Sequence, residues 1–305
     1  MTYTLDSIPD LTGKTTVITG ANTGLGFETS RALAAKGAHV IMAARNHDKA
    51  TVAARRVRAS TPNASVEVIE LDLASLASVR AAAARMCADH PRVDILVNNA
   101  GVMAQPEGRT TDGFETQLGV NHLGHWALTA HLMPAILASA AARVVTVTST
   151  AHHFARAVNP ANPHLSRAYS PWKAYGQAKL ANYHFALGLQ RQFVQAGVSA
   201  MSLLAHPGTS NTELGTHTSE SGGLGALSTF LISAAGRMAQ SAEHGAMPQL
   251  RAATDPAARG GEFYAPRFVN TGVPVRRPVM RPGSSKAITD LWFISERQTG
   301  IPMKV

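Results

Sequence analysis

Tyr175 and Lys179 stand four residues apart in SPWKAYGQAKLANYHFALGLQRQFVQAG, residues 170–197. On a helix that spacing puts both side chains on one face. A phenol titrates near pH ~10 and is a poor proton donor or acceptor at neutrality, but an ammonium group one turn away stabilises phenolate and draws its pKa toward working pH. The pair thus has the makings of an acid/base device, although Y-x-x-x-K alone recurs by chance in many helices. The helix is locally well marked: Ser170 suits the N-cap, Pro171 the first helical position and Gly197 a left-handed terminus. Ala174, Ala178, Ala181, Phe185 and Leu189 form an apolar stripe, and Leu180, Tyr183, Leu187 and Val194 extend apolar character to other faces. Burial beyond one sheet is expected, a partner subunit being one candidate for the cover.

Such a pair needs a scaffold, and the chain before it alternates strands and helices. TTVITG, ending at Gly20, reads as a strand, and Gly24 and Gly26 open a helix behind it. Side-chain-free backbone at that point lets a pyrophosphate approach a helix N-terminus. The next strand, AHVIMAARN, ends at Arg45, about twenty residues after the glycine turn, where an acid would select NAD; Ala44 and Arg45 bring no carboxylate and one guanidinium, which favours NADP. The plainer alternative is a solvated arginine at a strand end. Helix HDKATVAARRVRAS, strand SVEVIELDL with Asp72 at its end, and helix SLASVRAAAARMCADH follow, then strand VDILVNNAG, whose tail runs from Asn98 to Gly101. A helical region over 111–138 carries Asn121, a residue mildly unfavourable in a helix and so a candidate for a specific hydrogen bond or, more blandly, a surface position. Strand ARVVTVTST brings Ser149 to the same carboxyl edge. The pattern predicts an α/β chain with a doubly wound parallel sheet and helices on both faces, a single-domain Rossmann fold over 1–305.

Composition narrows the function classes. Hydrophobic residues make up 45% of the chain, ample for a core, and the single cysteine, Cys87, excludes an intramolecular disulfide framework. The N-terminus has no apolar signal region and no stretch approaches the ~20 apolar residues of a spanning helix, so a soluble, cytoplasmic protein is expected. The formal net charge of +9 is scattered rather than interleaved with aromatics, which argues against nucleic acid as a partner. Thirteen histidines come without an HExxH motif or a Cys/His ligand spacing. His122, His125, His152 and His153 read as solvated or core residues, and no metal site is expected.

Taken together, TGANTGLG, NNAG, Asn121, Ser149, YGQAK and the HPG at 206–208 resemble the short-chain dehydrogenase/reductase family along nearly the whole chain. AARN, TSTAHH and LWFISERQTG are most similar to its retinol dehydrogenase-like subgroup. The resemblance implies Tyr175 as general acid/base, Lys179 lowering its pKa while binding the nicotinamide ribose, Ser149 holding the substrate oxygen and Asn121 anchoring a relay water. It also implies NADP contacts from Gly20, Asn22, Thr23, Gly24, Leu25 and Gly26, from Arg45, Asp72 and Leu73, from Asn99, Ala100 and Gly101, and from Pro207, Gly208 and Thr212. Two features depart from the simplest members: ST rather than SS after the fifth strand, so that Thr150 stays open as a second contact, and the long HHFARAVNPANPHLSRAYSPWK before Tyr175, whose prolines and asparagines predict a loop beside the site.

Residues 209–245 carry Gly222, Gly223 and Gly225 beside Leu224, Leu227, Phe230, Leu231 and Ile232. They read either as a lid selecting a bulky apolar substrate or as a helix packed on the core, which periodicity alone does not separate. The expectation is an NADP-dependent oxidoreductase for an apolar alcohol and its aldehyde or ketone. A non-catalytic NADP-binding sensor or scaffold and a C=C reductase of the same family are the alternatives. A homo-oligomer through the 111–138 and 171–196 helices is allowed.

Overall fold

The computed structural model describes residues 2–208, 240–279 and 284–305. One sheet organises them, in the strand order β3-β2-β1-β4-β5-β6-β7-β8. The strands are β1 Thr15–Thr19, β2 His39–Ala44, β3 Val66–Glu70, β4 Ile95–Asn98, β5 Arg143–Val147, β6 Met201–Ala205, β7 Phe263–Pro266 and β8 Pro274–Arg277. Seven run parallel. The eighth, in a proline-rich stretch without strand periodicity, pairs antiparallel with β7, as an edge position permits for Pro274. Its Arg276 reaches Glu262 at 2.8 Å, so part of the basic Arg276–Arg277 cluster is an ion pair within the chain. The chain moves outward from β1 to β3 and then returns to β4 beside β1, which opens a crevice at the carboxyl ends of β1 and β4.

Alternation along the strands sends side chains to two cores. Ile18, Met42 and Leu203 meet α1 (Gly24–Ala35), α2 (His47–Ser60) and a helix near the C-terminus, Ala242–Thr254. Val17, Ile41 and Val144 meet α3 (Leu76–Asp89), a helix over Gly124–Leu137 and the Tyr/Lys helix, Pro171–Gln195. In chain order these are α4 (Thr116–Leu118), α5 (Gly124–Leu137), α6 (Pro171–Gln195), α7 (Ala242–Thr254) and α8 (Ser284–Thr299). The expected α6 signals are present: Ser170 caps Lys173 N, Pro171 opens the helix and Gly197 ends it with φ of 68°. Among the described residues no helix is long and apolar enough to cross a membrane.

Two expectations need correction. The helix expected from 111 starts at Thr116, because TTDGF forms a turn: Gly113 takes φ of 82°, Thr110 N donates to Phe114 O at 2.9 Å, and Glu115 caps Gln117 and Leu118. Its next five residues, Gly119–Leu123, form a π turn around Asn121. The strand before Asp72 stops at Glu70, leaving Asp72 in the following turn with its carboxylate on Ala74 N. The chain's own α8 packs on α5 and α6. Trp292 stacks on Phe185 at 5.9 Å and meets Trp126 edge-on at 5.0 Å, while His122 Nε2 and Ser295 Oγ lie 2.9 Å apart. Leu180 and Tyr183 pack on Leu204 and Phe263, and Phe185 meets α8, whereas Val194 stays exposed. Of the lid segment, 209–239 lies outside the described residues, and the remainder, 240–245, leads into α7 and forms its first turn.

At Gly188 the two helices touch so closely that a Cβ would overlap the Trp292 ring and sit 2.8 Å from Ile288 Cγ2. Gly188→Ala should therefore lose about 1–2 kcal/mol by denaturant unfolding, the overlap outweighing alanine's helix propensity. Unchanged or higher stability would mean that α8 does not seat there.

Candidate functional site

The crevice is lined by turns whose backbone the sequence keeps bare. Gly20 and Gly24 adopt φ of 65° and 55°, and a Cβ on Gly26 would collide with the Gly20 carbonyl. The α1 helix follows without a side-chain cap, since Thr23 accepts no hydrogen bond from its first turn, whereas Asn46, Ser75 and Ser170 cap α2, α3 and α6. Several first-turn N–H groups of α1 are thereby left for a ligand, and the first turn holds no acidic residue to repel an anion.

Beside this turn a buried network fixes the NNAG corner. The Thr19 hydroxyl accepts from Asn99 N at 3.0 Å and Ala100 N at 2.9 Å, and lies 2.8 Å from His125 Nε2. His125 Nδ1 donates to the Asn121 carbonyl at 3.0 Å, which leaves Nε2 to accept the Thr19 proton. Burial pushes the His125 pKa down to about 4, so the ring stays neutral and keeps this tautomer. The Asn121 side chain bonds both polar groups of Val102, accepting from its N at 2.7 Å and donating to its O at 2.9 Å. Asn99 Nδ2 donates to Thr19 O at 2.8 Å, and its Oδ1 accepts from Gln249 Nε2 on α7 at 3.3 Å. Asn98, by contrast, turns into the core toward Thr129.

The catalytic candidates meet at this corner. Ser149 caps the short 3₁₀ helix Thr150–Phe154, and its hydroxyl lies close enough to the Tyr175 phenol to favour the phenolate. Thr148 turns the other way, donating to the Lys179 carbonyl at 2.7 Å, which leaves Ser149 as the hydroxyl of its pair at the site. Lys179 Nζ lies 5.8 Å from the Tyr175 ring centroid and donates to Val147 O at 3.3 Å. It also sits so near Gly101 that a Cβ there would be 3.4 Å from Nζ and 2.9 Å from Asn121 Oδ1. Burial dominates both titrations: it raises the Tyr175 pKa, against the Ser149 hydrogen bond, and lowers that of Lys179 to about 8. The expected depression of the phenol pKa is therefore not a property of the protein by itself, because the lysine charge is weakened by the same desolvation.

The long segment before Tyr175 lies where a loop beside the site should. Tyr169 Oη donates to Gln105 O at 2.6 Å, Gln117 Nε2 to Pro171 O at 2.9 Å, and Gln177 Nε2 to Pro163 O at 2.8 Å. Arg45 is exposed at the end of β2 and forms no ion pair among the described residues. Leu73 is buried against Gly124 of α5. Pro207 and Gly208 follow β6 at the same edge, Gly208 with φ of 75°; Thr212 lies outside the described residues. Sequence reasoning missed the linking roles of Thr19, His125 and Gln249. Only the i, i+4 spacing of Asn121 and His125 could have signalled one of them.

A short chain dehydrogenase family model matches residues 14–222. Retinol dehydrogenase 13 of Homo sapiens is 38% identical over 295 residues, which span 95% of this chain and 85% of that protein. A crystal structure of an uncharacterized protein from Mycobacterium Paratuberculosis superposes with a TM-score of 0.80 at 39% identity, covering 100% of both chains. The Pseudomonas aeruginosa RhlG/NADP active-site complex matches at a TM-score of 0.64 and 25% identity, over 83% of this chain and 94% of that one.

A lysine kept at a pKa near 8 costs stability whenever it is protonated. Lys179→Met should stabilise the ligand-free fold at pH 7 by about 1–3 kcal/mol in denaturant unfolding. The gap should be full below pH 8 and close as pH rises toward 10.5, where lysine is neutral folded or unfolded. A variant less stable than the parent at pH 7 would show that the ammonium group is compensated in place.

Proposed function

Because the chain belongs to the short-chain dehydrogenase family, in its retinol dehydrogenase-like branch, we propose that it is an NADP-dependent oxidoreductase interconverting an apolar alcohol with its aldehyde or ketone. The observation that carries this reading is the convergence of Ser149, Tyr175 and Lys179, whose Nζ lies 5.8 Å from the Tyr175 ring, at the crevice where the strand order reverses.

The bare glycine turn and uncapped α1 fit a pyrophosphate, held by Gly20, Gly24 and Gly26 with Asn22, Thr23 and Leu25 around it. Arg45, exposed and without an acidic partner, fits the 2′-phosphate. Asp72 and Leu73 flank the adenine, and Asn99, Ala100 and Gly101, with Pro207, Gly208 and Thr212, border the nicotinamide half. A nicotinamide cofactor bound there supplies or accepts the hydride at the substrate carbon. In the reducing direction Ser149 donates a hydrogen bond to the substrate oxygen, and Tyr175 gives that oxygen its proton as negative charge develops on it. Lys179 binds the ribose hydroxyls and stabilises the phenolate left behind. The Asn121 carbonyl has a second lone pair beside the one His125 occupies, which suits a water leading protons back to Lys179. An apolar substrate is supported by the retinol dehydrogenases among the relatives.

Tyr175→Phe should lower kcat with an apolar aldehyde by at least about a thousandfold while NADPH still binds, as fluorescence titration would show. A rate within a few-fold of the parent would remove Tyr175 from the reaction. Arg45→Ala should raise KM for NADPH about ten- to a hundredfold and leave that for NADH nearly unchanged; equal effects on both would end the 2′-phosphate assignment.

A further inference from the structure

At the opposite end of the strands from the crevice, two histidines and a glutamate converge from three elements. His39 opens β2, Glu67 is the second residue of β3, and His90 caps the C-terminus of α3. In the β2–β3 register Ile41 pairs with Glu67, so His39, two residues before Ile41, faces the same side of the sheet as Glu67, the side on which α3 packs. One nitrogen from each ring and one carboxylate oxygen lie within 4.8 Å of one another.

We propose that His39 Nε2, His90 Nε2 and Glu67 Oε2 form a zinc site that ties β2, β3 and the end of α3 together, with a water completing a tetrahedron. Zinc bonds of about 2.0–2.1 Å to nitrogen and oxygen place tetrahedral ligand atoms about 3.3 Å apart. The separations from Glu67 Oε2, 2.9 Å to His90 Nε2 and 3.7 Å to His39 Nε2, straddle that value. The outer contacts fit as well. His39 Nδ1 is engaged by Ser65 Oγ at 2.7 Å, which turns Nε2 inward as the ligating nitrogen, and there Nε2 is buried without a hydrogen-bond partner. Arg85 Nη2 holds the other carboxylate oxygen, Glu67 Oε1, at 3.2 Å, so the carboxylate offers a single oxygen to a metal. The two rings already stand 4.7 Å apart, tilted by 32°. The ligands are scattered across the sequence, and for that reason no local spacing motif announces them.

The test uses the full-length protein stripped with a chelator and titrated calorimetrically with zinc chloride at neutral pH, together with its spectrum when loaded with cobalt(II). The parent should take one equivalent with a Kd below about 10 μM, gain several degrees in Tm, and give tetrahedral cobalt bands. Glu67→Gln and His90→Ala should each weaken that binding by about a hundredfold or more and lose the bands, Ser65→Ala should weaken it about tenfold, and the exposed His47→Ala should change nothing. The cobalt spectrum needs no variant, so a destabilised substitution leaves the test standing. A parent that binds no zinc at this level, or octahedral cobalt bands, or variants at positions 67 and 90 that bind as the parent does, would overturn the proposal.

Discussion

The hydroxyl of Thr19, buried at the end of β1, holds the rest of the site in place. It takes two backbone N–H groups from the NNAG corner and donates a hydrogen bond to His125, whose other nitrogen bonds the Asn121 carbonyl. Thr19, His125 and Asn121 have their partners, whereas an unpaired polar group there would cost about 1–3 kcal/mol. The π turn over Gly119–Leu123 belongs to the same constraint. It presents the Asn121 side chain to Val102 and its carbonyl to His125. Through this chain of contacts the glycine turn after β1, the corner after β4 and the helix before β5 are held as one piece.

Against that rigid corner, Tyr175 and Lys179 are kept in an unfavourable state. Both are buried, and desolvation moves each pKa toward the neutral form. A phenol and a partly neutral amine are poor at acid/base work on their own, and only added negative or hydroxyl-rich groups near Lys179 Nζ restore its charge. The pair is thus suited to a site that becomes competent when a ligand fills it, and the stability it forgoes is of the size expected for functional residues. The covering of α6 by α8 allows this: Phe185, Trp126 and Trp292 fix the back of the helix while its front carries the strained pair.

Much of this was legible in the sequence, for identifiable reasons. The helix cap at Ser170 and the glycines at 20, 24, 26 and 197 are local signals with local consequences, and they appear in the structure where their chemistry puts them. Ser149 was preferred on the family motif, and the structure turns Thr148 away to the Lys179 carbonyl. What stayed hidden depended on distance in sequence. The α8 cover on α6 comes from about a hundred residues downstream, so the sequence of α6 alone did not announce it. His125 looked like one of many histidines because its partners, Thr19 and Asn121, are brought together only by the sheet. The start of the α4 region was misplaced because a DG turn was read as part of a helical run. Likewise, the antiparallel β8 has too few residues to show a period.

The central claim is that hydride and proton are delivered to a carbon–oxygen bond at the Ser149–Tyr175 corner. The most direct measurement is a turnover of an apolar aldehyde such as retinal with NADPH deuterated at the transferable C4 position, followed by mass and NMR analysis of the product. The account predicts an alcohol carrying one deuterium on the carbinol carbon. Deuterium on a carbon of a reduced C=C bond, or a product free of deuterium, would contradict it.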